Sequence, residues 1–285
     1  MNKIELIQKL NEDFKIYMYH DVWTTFEDYT NKIQNYIHSD YQEYACGLMI
    51  DFADEISEVL TTTFITEDMF TFIKENNKKD ILIFTHHPYY QKILDYSWQD
   101  AISDNIDTLK ENRISIYVCH MALDFHPKYS TAFYLAKELM CVVEGRLSYE
   151  YKGLRGKVEC EYYGRCIDDL FDKISEISSK AVFYQFNDIK PTKICCSPGG
   201  GNIIEIIRMA KDLGVDTYIT GVSEFKGKNS ISRNKNYFQQ LENIGINIIG
   251  LGHYQTESLA MKALVEDYFK SFIDSVTYYE NKYYI

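Results

Sequence analysis

Three short apolar segments of this 285-residue chain each run directly into histidine and carboxylate residues, and this recurrence constrains the fold more than any other feature. The segments are rich in β-branched residues, are bounded by turn residues and alternate with segments of helical periodicity, which is typical of parallel strands. The segments, each with the motif that follows it, are 81–84 with Thr85-His86-His87-Pro88, 114–119 with His120-Met121-Ala122-Leu123-Asp124, and 246–251 with Gly252-His253-Tyr254-Gln255-Thr256-Glu257.

Four of the seven histidines lie at the ends of these apolar segments. In an open α/β sheet, ligand groups gather beyond the carboxyl ends of the parallel strands. We therefore expect imidazole and carboxylate groups from separate strands to converge in one crevice. Because neutral imidazoles and carboxylates together suit zinc, iron or manganese, the pattern predicts a metal centre.

The composition excludes several classes of protein. Hydrophobic residues make up 46% of the chain and charged residues 25%, which fits a globular protein and not a disordered one. A net charge of -12 without a dense Lys/Arg cluster argues against nucleic acid as a partner. We expect no membrane partner, because no stretch has transmembrane length and no apolar signal core begins the chain. Seven cysteines without a Cys-x-x-Cys pair predict buried free thiols and a cytoplasmic location.

Two parts of the chain resemble each other. Residues 78–85 parallel residues 214–220, and residues 111–116 parallel residues 242–248 in the same order. In both parts the second strand ends in a histidine followed four positions later by a carboxylate. Chance matching of β-rich segments is the alternative, but the shared order favours a duplication. We predict an α/β fold of two similar lobes that face a shared metal-containing cleft. The predicted boundaries are about 1–128 plus 250–285 for lobe one and about 129–249 for lobe two.

We expect the chain to leave strand geometry at His86 and His87, because adjacent residues of a regular strand point to opposite faces.

Hydrophobic periodicity places the remaining elements. Gly153 and Gly156 predict turns or bulges among strands in 141–163. Predicted helices cover about 4–11, 67–75, 101–111, 131–140, 168–180, 234–243 and 257–272, with a further helix ending near 213, and predicted strands cover about 59–64, 193–196, 216–220 and 276–285.

The predicted ligands follow from side-chain chemistry and spacing. His253 and Glu257 stand one helical turn apart, on one face. Two carboxylate oxygens can bridge two cations, so Glu257 is the predicted bridge and His253 a terminal ligand. The alternative for Glu257 is a carboxylate favoured in the first helical turn by the macrodipole. His86 and His87 are predicted to bind one metal each, with Asp124 completing the metal of His87. The alternative for the two histidines is a structural pair in a loop.

His120 has three candidate roles: orienting a ligand, carrying a proton or filling the interior. We favour the first two over the third and take His120 as the candidate catalytic residue. Between a strand and a helix, the segment Ser197-Pro198-Gly199-Gly200-Gly201-Asn202 has glycines and amides suited to a phosphate. A tight structural turn is the more common explanation of such a segment.

In these motifs the chain resembles the Nif-three-like dinuclear-metal proteins, also called GTP cyclohydrolase I type 2-like proteins. The resemblance covers about 46–272 and also rests on Phe125-His126-Pro127, the glycines 199–201 and residues 214–221. It implies two α/β lobes, a toroidal hexamer built from dimers, and a two-metal site that faces an inner cavity. The ligands that it implies are His86, His87, Asp124, His253 and Glu257.

The chain departs from the family pattern in three places. The first 45 residues lack the usual Trp-Asp-Asn-x-Gly-Leu motif, of which only Gly47-Leu48 is suggestive. Ser130-Thr131 stands where Gly-Asn often follows the second motif, and the middle domain of longer members is absent. These departures bear on the fit of a substrate more than on metal binding.

The leading interpretation is a hydrolase that uses two divalent ions, zinc, iron or manganese, on a small nucleotide-like or heterocyclic substrate. The resemblance implies a GTP cyclohydrolase-like reaction, the hydrolytic opening of a guanine ring. A non-catalytic metal-binding or regulatory oligomer is the alternative, and a scaffold with a structural metal is a third interpretation. The expected partners are a small-molecule substrate and further copies of the chain in a homohexamer.

Overall fold

The computed structural model describes residues 2–21, 27–93, 97–149, 158–166, 170–223 and 236–285. The described chain forms two compact units. Unit 1 takes its described residues from Met1–His126 and Met261–Ile285, and unit 2 takes them from Pro127–Tyr151 and Lys157–Ala260.

The described elements alternate between strands and helices along most of the chain. The strands are β1 (Gly47–Ile50), β2 (Glu58–Phe64), β3 (Ile81–His87), β4 (Tyr90–Gln91), β5 (Trp98–Gln99), β6 (Ile114–Val118), β7 (Val142–Tyr149), β8 (Val158–Arg165), β9 (Val182–Tyr184), β10 (Lys193–Ser197), β11 (Thr217–Thr220), β12 (Asn247–Gly250) and β13 (Val276–Tyr278). The α-helices are α1 (Lys3–Phe14), α2 (Glu27–Thr30), α3 (Ser39–Tyr44), α4 (Glu67–Glu75), α5 (Ile106–Glu111), α6 (Met121–Asp124), α7 (Thr131–Glu138), α8 (Leu170–Ile177), α9 (Ile204–Asp212), α10 (Tyr237–Ile244) and α11 (His253–Asp267). Short 3-10 helices cover Ile16–Met18, Asn31–Tyr36, Ser103–Asn105, Phe269–Ser271 and Lys282–Tyr284.

Unit 1 is built on a five-stranded sheet in the order β1-β6-β3-β2-β13. The four strands β6, β3, β2 and β13 are parallel, and β1 pairs antiparallel with β6 at the edge. Leu60, Ile83 and Ile116 are register partners in the three central strands and belong to one buried cluster. These strands are buried along their whole length, which explains the continuous apolar run Ile81–Phe84 at the start of β3 and the lack of a regular polar–apolar alternation in β2.

Unit 2 is built on a six-stranded sheet in the order β7-β8-β10-β11-β12-β9. The three central strands β10, β11 and β12 are parallel, and the other three pair antiparallel. Neighbouring residues of β10 belong to different clusters, Cys195 to one core and Cys196 to another. Since adjacent strand residues point to opposite faces, the sheet carries a buried core on both sides.

The two units share one local order of elements. Unit 1 contains β2-α4-β3-α5-β6, and unit 2 contains β10-α9-β11-α10-β12, each with its three strands parallel and adjacent. The segments matched by sequence become β3 with β6 in unit 1 and β11 with β12 in unit 2. The mixed α/β class is confirmed, while the duplication remains a prediction.

Most periodic elements lie close to where they were predicted, and the differences fall at ends and turns. The helix predicted to begin at Glu257 begins four residues earlier, at His253, because the chain turns at Gly252 with φ +104°. The predicted C-terminal strand is three residues long and is followed by a 3-10 turn. Gly153 and Gly156 lie outside the described residues. The strands β1, β4, β5 and β9 were missed, since segments of two to four residues carry no measurable period.

Four cysteines, Cys46, Cys119, Cys195 and Cys196, are buried free thiols, as expected. Cys195 and Cys196 lie in β10, Cys119 directly follows β6, and Cys46 directly precedes the edge strand β1. At these buried positions a free thiol packs as a small apolar side chain. In the part of the chain that the structure describes, none of the helices is both long and apolar enough to span a bilayer.

Candidate metal centre

His86 and His87 are the last two residues of β3, and the strand continues through both of them. The expectation that the chain leaves strand geometry there is therefore wrong. β3 pairs with β2 as far as the partners Phe64 and His87, whereas its pairing with β6 ends at Thr85 and Val118. The strand end is thus open on the β6 side, and the two rings lie close together with centroids 4.5 Å apart and planes at 73°.

His86 is held in one tautomer by its surroundings. Its Nδ1 lies 2.9 Å from the carbonyl oxygen of Cys119, which can only accept, so Nδ1 carries the proton and Nε2 presents a lone pair. That Nε2 lies 3.5 Å from Oδ1 of Asp124. Two electron-rich atoms thus face each other at nearly the spacing of two ligands around one ion, about 3.4 Å for a tetrahedral zinc site. The donor set fits a divalent metal held by His86 and Asp124 together, whereas the sequence analysis assigned Asp124 to the metal of His87.

The three histidines of unit 1 form a compact buried cluster. The ring of His120 lies 4.8 Å from that of His86 and 4.6 Å from that of His87. One ring nitrogen from each of the three lies within 4.8 Å of the others. His86 is fully buried, and His87 and His120 are 5% and 9% exposed. This arrangement could hold a metal ion.

The outer side of His87 is covered by aromatic rings. Phe64 stacks on His87 with centroids 5.0 Å apart and planes at 23°, and the ring of Trp98 lies 5.3 Å away. The Tyr284 ring contacts Phe64 at 5.2 Å. Its hydroxyl accepts a hydrogen bond from Gln91 N at 3.0 Å and donates one to Gln91 O at 2.6 Å. The C-terminal residues therefore hold the hairpin β4–β5 and the wall beside His87 in place.

His120 and Asp124 lie at the start and end of the single turn α6. Nε2 of His120 stands 3.9 Å from Oδ2 of Asp124. Nδ1 of His120 lies 2.7 Å from Oδ2 of Asp21, a residue that is 1% exposed. Burial works against a charged imidazole, but the charge of Asp21 and its hydrogen bond outweigh burial and raise the pKa of His120.

Asp21 was missed by sequence reasoning. It stands alone in an aromatic segment, 99 residues from His120, and its spacing to any motif carries no signal. Among the described residues, the thiol of the neighbouring Cys119 does not belong to the groups close enough to share a metal ion. Burial and the contact with Cys46 raise the pKa of this thiol well above its usual value. Only the backbone carbonyl of Cys119 contributes to the cluster, through His86.

In unit 2, His253 and Glu257 occupy the first turn of α11. Nε2 of His253 lies 3.1 Å from Oε2 of Glu257, and Glu257 is 4% exposed. The two side chains share one helical face, as their spacing predicts.

The glycine segment that follows β10 packs directly against this pair. Gly199 has φ +60°, and a Cβ there would lie 2.0 Å from Oε1 of Glu257 and 3.3 Å from Nε2 of His253. Its amide donates to Oγ1 of Thr256 at 3.0 Å, while the amide of Gly201 bonds to Pro198 O. Because the turn itself uses these amides, the structure favours the explanation of a tight turn over that of a phosphate site.

The sequence profile of the family described as Duf34/NIF3 (NGG1p interacting factor 3) matches residues 24–280, which include all five predicted ligands and His120. The chain belongs to the Duf34/NIF3 family. This result confirms the family resemblance drawn from the motifs. The match begins at residue 24, about twenty residues before the segment of about 46–272 in which the motifs lie. Asp21 lies outside the matched residues.

Curated relatives of this Duf34/NIF3 chain carry the name "GTP cyclohydrolase 1 type 2 homolog". The protein from Haemophilus influenzae is 24% identical over 275 residues, which cover 93% of this chain and 92% of that protein. The protein from Vibrio cholerae is 24% identical over 230 residues, which cover 77% and 82%.

Solved structures share the fold over nearly the whole length. The structure of protein ybgI, described as of unknown function, has a TM-score of 0.70 at 20% identity and covers 99% of this chain and 98% of its own. Reduced HcgD from Methanocaldococcus jannaschii has a TM-score of 0.66 at 16% identity, with 99% and 98% covered. At these identities the likeness shows a common Duf34/NIF3 fold.

Proposed function

We propose that this Duf34/NIF3 protein is a hydrolase dependent on two divalent metal ions. The observation that carries the proposal is the lone pair of His86 Nε2 facing the Asp124 carboxylate inside a buried histidine cluster. A lone pair and a carboxylate held this close repel each other unless a cation or a proton lies between them. The proposed ligands are His86, His87, Asp124, His253 and Glu257.

The proposal requires the ligands of both units to meet in one cleft. Unit 1 supplies three of the five ligands and unit 2 supplies two. In both units the ligands lie at or beyond the carboxyl ends of parallel strands, where α/β folds place their ligands. Glu257 has two oxygens and is the proposed bridge, with His253 on the same helical face as a terminal ligand.

Bound divalent ions would supply Lewis acidity, polarising an electrophile and making water a better nucleophile. The role proposed for His120 is to hold and move a proton at Nε2, since its Nδ1 is already bound to Asp21. The substrate class, a nucleotide-like or heterocyclic small molecule such as GTP, rests on the names of the curated relatives and on the motif resemblance.

A nucleotide panel beginning with GTP, tested with zinc, manganese and ferrous iron, examines this function directly. His120→Asn is expected to keep the metal but to lower turnover by roughly 10²–10⁴-fold, the scale of lost acid–base assistance. Turnover that stays at the buffer rate with every metal and every nucleotide would reject the hydrolase. If His120→Asn removes an ion, His120 is itself a ligand and the role assigned to it is wrong.

One observation favours a second candidate, a non-catalytic protein that stores or delivers metal. His86 and His87 are at most 5% exposed, and aromatic rings cover His87. Burial of this kind leaves little space for a substrate beside the proposed ligands, whereas a catalytic metal needs an open coordination position. Rapid exchange of bound metal by a protein that is inactive on the whole panel would support this candidate.

We also propose that the chain assembles into a homohexamer. Beyond the family resemblance, support comes from the outer strand β7, where Val142 and Val143 are 52% and 41% exposed. Exposed apolar residues on an edge strand favour contact with another chain. Light scattering at micromolar concentration is expected to give the mass of six chains, and a stable monomer would reject the assembly.

A further inference from the structure

We infer that Asp21 is a positioning residue that fixes the orientation and the proton-bearing nitrogen of His120. The match to the family profile begins at residue 24, so Asp21 lies outside the matched residues. The inference about ring geometry concerns unit 1 alone. Its consequence for turnover rests on the proposed hydrolase function.

The contact has the geometry of a strong, charge-assisted hydrogen bond. Oδ2 of Asp21 lies 2.7 Å from Nδ1 of His120, and a carboxylate oxygen accepts, so Nδ1 is the donor. The opposite nitrogen, Nε2, is then the one directed toward Asp124. Asp21 is 1% exposed, which protects the bond from competition by water.

The same oxygen of Asp21 also binds the backbone. It accepts a hydrogen bond from Met121 N at 2.9 Å, the first amide of α6. One atom thus connects the ring of His120 to the peptide that follows it. The backbone amide holds the carboxylate in place, and rotation of the imidazole would break the hydrogen bond at Nδ1, so the contact favours one orientation of the ring.

Buried side chains and backbone hydrogen bonds fix the segment that leads to Asp21. α1 ends at Lys15 in the left-handed region, φ 51°, and a 3-10 turn follows. Ile16 is buried against the backbone of β1, where a Cβ on Gly47 would lie only 2.6 Å from its Cδ1. The amide of Asp21 donates to Tyr44 O at 3.0 Å. The position of Asp21 is therefore set by the backbone and by buried packing.

If Asp21 positions His120, its substitution should change the environment of the His120 ring, which a role in fold stability alone does not require. In proton NMR of the full chain, the His120 Nδ1–H is expected as a strongly shifted signal that exchanges slowly with water and disappears in His120→Asn. Asp21→Asn should move or abolish this signal. Asp40→Asn is the matched control, because Asp40 binds Asn11 in the same N-terminal region, and it should leave the signal unchanged.

The second experiment measures turnover in the single variants and in a double variant. Asp21→Asn is expected to keep the metal content and to lower kcat by about 10–100-fold, the usual effect of losing a partner behind a functional histidine. Asp21→Asn combined with His120→Asn should be no slower than His120→Asn alone. A further loss in the double variant, or an unchanged NMR signal in Asp21→Asn, would overturn the inference.

The NMR measurement and the turnover measurement together distinguish failure of the inference from failure of the proposed function. If the wild type has no turnover but Asp21→Asn shifts the signal, the positioning of His120 stands and the hydrolase is rejected. If Asp21→Asn does not fold, Asp21→Glu keeps a carboxylate at the position. The signal is then expected at a changed shift, and an unchanged shift would contradict the assignment.

Discussion

The histidine–acid pair of unit 1 and that of unit 2 have the same spacing in sequence and different surroundings in the structure. His253 Nε2 approaches Glu257 to 3.1 Å on a helix of 15 residues, whereas His120 Nε2 stands 3.9 Å from Asp124 across a single turn. The other nitrogen of His120 binds the carboxylate of Asp21. A shared spacing thus places two groups on one face, but partners outside the motif decide what each group can do.

The difference begins in the backbone. His253 is the first residue of a regular helix, and the spacing of four residues brings its ring over Glu257. His120 precedes its short helix with φ -90° and ψ -95°, outside the helical region. We therefore expect substitutions in the unit 2 pair to affect metal content more than the equivalent substitutions in unit 1.

The largest effect is expected for Glu257→Ala. The proposed bridge serves both ions, so its loss should remove both, as measured by elemental analysis of protein purified with metal present. Glu266→Ala on the same helix is the control, since Glu266 is exposed and pairs with Lys270. Full metal retention in Glu257→Ala would reject the bridging role and with it the proposed contrast between the pairs.

A smaller loss of metal is expected for Asp124→Ala. Its carboxylate is proposed to bind one ion, so metal content should fall by about one ion per chain and activity should be lost with it. His120→Asn, from the same pair, should retain both ions. Equal metal loss in the two variants would show that the members of the unit 1 pair have the same role.

Gly199→Ala tests the packing that surrounds the unit 2 pair. The added Cβ would collide with Glu257 at a positive φ, and the free energy of unfolding of the metal-free protein should fall by about 1–3 kcal/mol. Gly200→Ala is the control, because no heavy atom lies within 4 Å of its Cβ position. Chemical denaturation compares the two, and equal stabilities would contradict the close approach.

The smallest effect is expected for Thr256→Val. The substitution removes the acceptor of the Gly199 amide and should lower the free energy of unfolding by about 1 kcal/mol. Thr256→Ser keeps the hydroxyl and should remain within a few tenths of a kcal/mol of the wild type. Because valine keeps the methyl group of threonine and lacks only the hydroxyl, an unchanged stability of Thr256→Val would contradict the contribution of the hydrogen bond.

Local patterns in the sequence predicted the elements that position the candidate site. Apolar runs located β2, β3 and β6, and the four-residue spacing placed His253 beside Glu257, because both signals depend on neighbours along the chain. The start of α11 was predicted four residues too late, because the turn at Gly252, with its positive φ, carries no periodic signal.

Two features of the site depend on contacts that local patterns do not carry. The convergence of His86 and His87 depends on β6 ending at Val118, which leaves one side of the β3 end open. The contact of Asp21 with His120 joins residues 99 positions apart. Both are consequences of tertiary packing, and a single sequence contains no periodic signal for either.

The tyrosine near the C-terminus makes the last turn of the chain part of the wall around His87. Tyr284 is tied to the backbone of Gln91 and rests on Phe64, which stacks on His87. A change at Tyr284 therefore acts within two ring contacts of a proposed ligand, although this residue is almost two hundred positions away from it in the sequence. Tyr284→Ala is expected to retain metal less firmly than the unchanged chain.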